Sequence, residues 1–234
     1  MGVVASVFGK ESVAEPAYQV LAKLPTSEGR PLAYEIRKYG QRFAAEAAYT
    51  SSGDNGDMNS PFRDLARYIG VFGSPENQGS KPIAMTAPVM MQNESKGGTP
   101  IAMTAPVMMG NNEGANNQRT MKFVLPAEFD SMDKIPKPTN DAVKIVAIPP
   151  QVGAVHRFSG SMNEEMHKEI ASNFADQLLK DGIEGLSKEH VLQHYQFWGY
   201  NPPFCLPMFR RNEVWVELSQ KQADQLASKG TTSE

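Results

Sequence analysis

One cysteine, Cys205, stands in 234 residues. It excludes an internal disulfide and removes any sign of a cross-linked secreted scaffold. Long apolar runs are missing too: none approaches the roughly 20 residues that span a bilayer. Charge of one sign is not in excess, with 23 Lys and Arg against 26 Asp and Glu and a formal net charge of −3. There is no long basic run, so a nucleic-acid surface is not expected. The first residues lack the basic and apolar regions of a secretory signal, which makes the cytoplasm the expected location. Catalytic signatures are lacking as well: no Gly-rich phosphate loop, no Gly-x-Ser-x-Gly elbow, no His-Glu-x-x-His. Without these, no catalytic residue is assigned, and Cys205 reads as a packed thiol rather than a nucleophile. A metal site is not expected either. His190 and His194 are read as lying on one strand, where four residues span about 13 Å, too far for one ion.

What the chain does have is a repeat. Pro82-Ile83-Ala84-Met85-Thr86-Ala87-Pro88-Val89-Met90-Met91 recurs letter for letter from Pro100 to Met109, 18 residues on, across a polar, Gly-bearing spacer. Six of the 13 methionines lie in the two copies. Methionine is flexible and polarisable and suits an adaptable apolar wall. The repeat therefore reads either as an edge strand with an out-looped duplicate or as a ligand-facing wall. Two copies are too few for a repeat array. At the start, Met1-Gly2-Val3-Val4-Ala5-Ser6 fits the pattern for N-myristoylation at Gly2, which alone gives weak, reversible membrane contact.

Periodicity supplies the elements. Residues 1–16 read as a tail, 17–219 as one domain and 220–234 as a polar tail. Tyr18 to Leu24 is a short apolar stretch. Leu32 to Tyr39 alternates as a strand, with Tyr34, Ile36 and Lys38 on one face, and Arg42 to Thr50 continues as another. Asn59 or Ser60 caps a helix with Pro61 in its first turn. In it Phe62, Leu65, Ala66 and Ile69 form one apolar face, Arg63 and Arg67 lie on its flank, and Gly70 ends it. Thr120 to Pro126 is a strand, followed by a proline-rich linker to Asp141. Ala142 to Ile148 and Val152 to Phe158 are strands. Ser161-Met162-Asn163-Glu164 is a capping box opening a long helix that ends near Gly182. His190 to Tyr200 and Glu213 to Leu218 read as two last strands, around a proline-broken connection. Each half thus reads strand, strand, helix, strand, strand, an α+β arrangement of two pseudo-symmetric halves with helices packed on a sheet. Methionines, Pro-Pro-Phe and a helix face suggest an apolar cleft for a flat acidic ligand, with basic side chains at its mouth.

Tyr34-Glu35-Ile36-Arg37-Lys38-Tyr39-Gly40, Ile83-Ala84-Met85-Thr86-Ala87-Pro88-Val89, Phe123-Val124-Leu125-Pro126, Tyr200-Asn201-Pro202-Pro203 and Arg211-Asn212-Glu213-Val214-Trp215 occur in that order. Together they resemble the SOUL/heme-binding protein family over about Tyr18 to Leu218. The duplicated decapeptide and Tyr68-Ile69-Gly70-Val71-Phe72-Gly73 are similar to plant or green-algal members. The resemblance implies a twisted, barrel-like antiparallel sheet with two helices. It also implies non-covalent binding of heme or another tetrapyrrole in a shallow apolar groove. The groove residues it implies are Leu65, Ala66 and Ile69, with Arg63 or Arg67 toward the propionates. Met85 joins them, and Pro203, Phe204, Cys205 and Leu206 form the other wall. Where some members carry a histidine in the Arg-x-Tyr-Gly motif, this chain has Lys38. Cys205 precedes Leu206 rather than a proline, so neither residue offers a conventional axial ligand. The reading is a tetrapyrrole carrier or buffer. The alternative is a protein-interaction or scaffold module on the same fold, at a membrane if Gly2 is acylated.

Overall fold

The computed structural model describes residues 14–50, 59–93, 118–160, 164–201 and 205–231. Nine antiparallel strands form a single curled sheet, a half-barrel. They are β1 (Tyr18–Leu24), β2 (Tyr34–Tyr39), β3 (Arg42–Thr50), β4 (Val89–Asn93), β5 (Gln118–Val124), β6 (Val143–Ile148), β7 (Gln151–Phe158), β8 (Gln196–Gly199) and β9 (Asn212–Leu218). Four α-helices accompany them: α1 (Asn59–Ile69), α2 (Glu164–Lys180), α3 (Lys188–His194) and α4 (Gln220–Ala227). The sheet order is β1-β2-β7-β9-β8-β4-β5-β3-β6. Exchanging β2 with β6, β3 with β7, β4 with β8 and β5 with β9, then reversing the order, returns the same series. The pseudo-symmetry expected from the element order is therefore a two-fold passing between β4 and β8. β1 is added at one edge.

Both faces of the sheet are buried, and the two faces have different fillings. Alternation sends Tyr34, Ile36, Ala154, Val214 and Val216 toward α2 and α4, into one cluster with Phe174, Leu178 and Leu226. The same alternation in the other half sends Phe43, Ala45, Met121 and Phe123 toward α1, where Leu65, Ala66, Tyr68 and Ile69 close a second cluster. The opposite parity points away from the helices and builds a third cluster around Tyr39, Trp198 and Trp215. The two indoles stack at 5.0 Å, and Tyr39 meets each edge-on at 5.4 and 5.5 Å. Gly153 makes this possible: a Cβ there would stand 2.5 Å from the Trp215 ring. Lys38, expected with Tyr34 and Ile36, is exposed, whereas Arg37 and Tyr39 of the other parity are buried.

Four expectations need correction. The described residues hold four α-helices, where the resemblance implied two. His190 and His194 are on α3, not on a strand. Ser187 caps that helix by accepting from the His190 N–H, Val191 is buried beneath it, and only Gln196–Gly199 is strand. The stretch from Gln220 is not a loose tail. Ser219 and Gln222 form a capping box, and Ala223 and Leu226 of α4 are fully buried; burying the Leu alone is worth about 1.5–3 kcal/mol. The first decapeptide copy is not an edge strand. Its Val89-Met90-Met91 opens β4, hydrogen-bonded on both sides, to β5 and β8. The second copy and the capping residues Ser161 to Asn163 lie outside the described residues, as does Gly2.

Candidate ligand-binding groove

α1 ends as its sequence demands. Gly70 adopts φ +90°, and the Gly70 and Val71 N–H groups donate to Arg67 O and Ala66 O. This Schellman closure satisfies the last carbonyls. Tyr68 Oη donates to Pro136 O at 2.8 Å, and the Asn77 side-chain amide donates to Tyr68 O and Lys81 O. The helix is thereby tied to the linker and to the segment leading into β4. Ile83 N donates to Ile69 O at 3.0 Å, so the first decapeptide copy starts against the end of α1.

Of the α1 residues carried over from the family resemblance, Leu65, Ala66 and Ile69 face the sheet and are buried. Arg63 and Arg67 are on the solvent side. Arg67 has one carboxylate in range, Glu76 at 4.0 Å, with 48% and 38% of the two side chains exposed. Phe62 is half-buried and meets Phe123 edge-on at 5.4 Å. Met85 is half-buried beside the same cluster. The structure therefore brings Met85 to the α1 side.

The second wall that the family resemblance implies is the β8–β9 connection. Pro203 and Phe204 lie outside the described residues. Cys205 is buried, with its Sγ 3.6 Å from Leu206 O, and Arg210 Nε donates to Cys205 O at 2.9 Å. Pro207–Phe209 form one 3-10 turn. That turn raises three apolar side chains into solvent: Leu206, Met208 (70% exposed) and Phe209. Gly160 N donates to Pro207 O at 2.9 Å. Gly160 follows two residues after Phe158, which packs against both helix-side clusters. The connection thus hangs beside the junction of the α1 and α2 clusters. Met208 and Phe209 were not singled out from sequence, where a Pro-flanked apolar turn was their one signal; Phe62 was read only as part of the apolar face of α1.

The roots of this connection are locked by a buried ion network. The Glu213 carboxylate is fully buried. It accepts from Arg37 Nη1 at 2.9 Å, Tyr200 Oη at 2.7 Å, and Arg211 Nε and Nη2 at 3.1 and 2.9 Å. Arg37 also reaches Glu35 at 2.7 Å, and Arg211 reaches Glu15 at 2.7 Å and lies 3.7 Å over the Tyr200 ring. Burial opposes the Arg37 charge, but Glu213, Tyr39 and Glu35 together outweigh it and raise the pKa. Burial first, and Glu213 second, push the Tyr200 phenol up. Every oxygen of Glu213 is matched, the condition on which a buried charge is tolerated.

Of the four histidines, His156 and His167 are packed into the fold, and His190 and His194 are exposed. His156 Nδ1 donates to Ala33 O at 2.7 Å, and burial lowers its pKa against that bond. His167 stacks on Phe197 at 3.6 Å. His190 and His194, one helical turn apart, stack at 4.3 Å, so the distance argument against a shared ion does not apply. Among the described residues, no group of three or more His, Cys, Asp or Glu is placed to hold a metal. No helix of the described residues is long and apolar enough to cross a membrane.

With this geometry in hand, comparison with known proteins gives one family. A family model described as SOUL heme-binding protein matches residues 13–217. No curated relative matches. Among solved structures, the EcmrR C-terminal domain is 10% identical, over 80% of this chain and 96% of that one, at a TM-score of 0.46. A hydrolase from Listeria innocua is likewise 10% identical, over 80% of this chain and 91% of that one, at 0.45.

Proposed function

The chain belongs to the SOUL heme-binding protein family, and from that premise we propose that it binds heme and related tetrapyrroles non-covalently, as a carrier or buffer that leaves them unchanged. The groove lies on the helix side, between the outer flank of α1 and the β8–β9 connection. One observation carries the placement: Leu206, Met208 and Phe209 stand exposed on a turn whose roots are locked. A rigid base under exposed apolar side chains is what a flat apolar ligand needs, because little ordering cost remains to be met on binding. Arg63 and Arg67 supply cations for the propionates, Met85 and Phe62 supply adaptable apolar surface, and Leu65, Ala66 and Ile69 back them from beneath. Pro203 and Phe204, outside the described residues, belong to the same wall by the family resemblance alone. Cys205 is buried inside that wall, its thiol turned to a backbone carbonyl, so it is not assigned to iron.

Burial of apolar area at about 25 cal/mol per Å² gives several kcal/mol for one porphyrin face, enough without a metal bond. Absorbance titration with heme and with metal-free protoporphyrin tests this. The two are expected to bind within about tenfold of each other, roughly 1.4 kcal/mol. Loss of binding on removal of iron refutes unligated binding; failure of both ligands to saturate refutes the carrier reading and leaves the interaction module. The duplicated decapeptide supports the plant or green-algal type. Gly2 is the proposed acylation site of a cytoplasmic protein with weak peripheral membrane contact.

A further inference from the structure

The face of the sheet opposite the α1 and α2 clusters carries a cavity distinct from the groove proposed above, with His194 of α3 among its lining residues. It has a volume of about 300 Å³ and is half open. That is the lower end of the range for ligand pockets, a size for a small molecule rather than a macrocycle. Inward-facing side chains of β3 to β9 line it, and the Tyr39–Trp198–Trp215 stack fills the same face of the sheet.

The chemistry of the lining is specific. Glu46 on β3 is paired with Lys122 on β5 at 3.1 Å. Glu217 on β9 lines the cavity and has no cation within ion-pair distance among the described residues. One oxygen of Glu217 accepts from Gln151 Nε2 at 3.0 Å, and Gln151 Oε1 accepts from Arg42 Nη2 at 2.8 Å. Arg42 is itself buried on the Tyr39 ring, 4.3 Å from its centre. The guanidinium thus stands behind Gln151 and fixes the amide; burial raises the Glu217 pKa, and the Gln151 bond and the Arg42 charge act against that rise. The other Glu217 oxygen is left to a ligand. Gln196 is fixed in the same way: Trp198 Nε1 can only donate, so the 2.9 Å contact claims the Gln196 carbonyl and leaves its NH2 as the group it can offer. The lining therefore holds two carboxylates, one ammonium, the His194 imidazole and preset amides, beside the aliphatic walls of Val146 and Ile148.

We propose that this cavity is a second binding site, for a small organic cation of the amine or amidine class, whose charged group is held by Glu217 and whose apolar part packs on Val146 and Ile148. It is independent of the tetrapyrrole groove, because the two lie on opposite faces of the sheet. A planar amidine suits it: two N–H groups match a carboxylate and the ring matches the aliphatic wall.

The test uses the full chain, calorimetric or NMR titration, and three probes of one shape: benzamidine, benzamide and benzoate. Benzamidine is expected to bind saturably, and the neutral and anionic probes at least tenfold more weakly. Glu217→Gln is expected to weaken benzamidine at least tenfold, leaving heme binding and melting temperature unchanged. Val146→Phe, which fills the wall, is expected to remove benzamidine binding by a separate route. Equal affinity for benzamide, unchanged affinity in both variants, or no binding of benzamidine at all would each overturn the proposal. So would displacement of benzamidine by protoporphyrin, which would place the probe in the groove and leave the heme reading standing.

Discussion

The ion network under the β8–β9 connection and the outer flank of α1 are built from the same residue types, yet they behave oppositely. In the network, Arg37 and Arg211 surround a Glu213 that is fully buried, and four hydrogen bonds reach one carboxylate. On the flank, Arg63 and Arg67 stand in water, and the single ion pair there among the described residues is 4.0 Å long. The motifs that mark the family, Tyr-Glu-Ile-Arg-Lys-Tyr-Gly and Arg-Asn-Glu-Val-Trp, supply the network and the aromatic stack. The flank comes from an ordinary amphipathic helix. The difference teaches that the most distinctive letters of this sequence hold the scaffold in place, while the surface proposed for a ligand is drawn from letters without distinction.

The strongest test of that contrast removes Glu213. Glu213→Ala leaves buried Arg37 and half-buried Arg211 beside each other without their shared carboxylate. Breaking a buried pair by deleting one partner costs about 3–5 kcal/mol, a large share of the stability of any domain. Urea denaturation of the variant is expected to show a loss of that order. A loss below about 1 kcal/mol would mean that the motif residues do not lock the fold, and the contrast would fail at its stronger end.

Much of this architecture was legible in the chain, and the misses have physical causes. Period-two runs gave β2 and β3, and the 3.6-residue face of α1 gave its inward side. The repeated element order gave the pseudo-two-fold. The short helices α3 and α4 were missed because each is carried by one cap, Ser187 or Ser219, and by one or two buried residues. A seven-residue helix leaves too few turns for its period to show. β4 was open to reading as an edge because sequence carries no record of which strands flank it. The site was less legible than the fold. An amphipathic helix shows one apolar face and does not say whether sheet or ligand covers it; in α1 the sheet covers Leu65, Ala66 and Ile69. Met208 and Phe209 look like core residues by composition, and only the 3-10 turn holds them outward. Glu213 looks like a surface charge until its three partners, up to 176 residues away in sequence, converge on it.

Asp181 lies between the two extremes and gives the next largest effect. It follows α2 and accepts from Arg30 at 3.0 and 3.2 Å and from Tyr34 Oη at 2.7 Å, with 16% of the Arg30 and 9% of the Asp181 side chain exposed. Burial raises its pKa, but the bonds from Arg30 and Tyr34 outweigh that and hold the carboxyl below its ordinary value. A depressed folded value means that the stabilisation is complete above the unfolded value near 3.9 and is lost as pH falls through the folded one. Asp181→Asn is expected to cost about 1.5–3 kcal/mol at pH 7, the range for hydrogen bonds to a charged group. The difference from wild type should shrink as the pH falls below about 4. Melting curves from pH 7 to 2 check both. A difference that stays constant with pH would show that the asparagine disrupts packing instead.

The smallest stability effect belongs to the flank, and there the ligand supplies the signal. Exposed ion pairs contribute about 0–1 kcal/mol, and Arg63 and Arg67 have no buried carboxylate to strand. Arg63→Ala with Arg67→Ala is expected to shift stability by less than about 0.5 kcal/mol, the usual span for surface changes. Binding should respond differently. A propionate brought against a guanidinium beside half-buried Phe62 is partly desolvated, and a charge-assisted bond there is stronger than one in open water. Heme and protoporphyrin should therefore bind several-fold more weakly to the double variant, while the dimethyl ester of protoporphyrin, which carries no carboxylates, should bind about as it does to wild type. The ester separates charge from packing, since it keeps the apolar body of the ligand. Equal weakening of ester and acid would place the arginines in an apolar contact through their stems. No change for either would remove the flank from the groove altogether and leave the Leu206, Met208 and Phe209 turn as the surface to pursue.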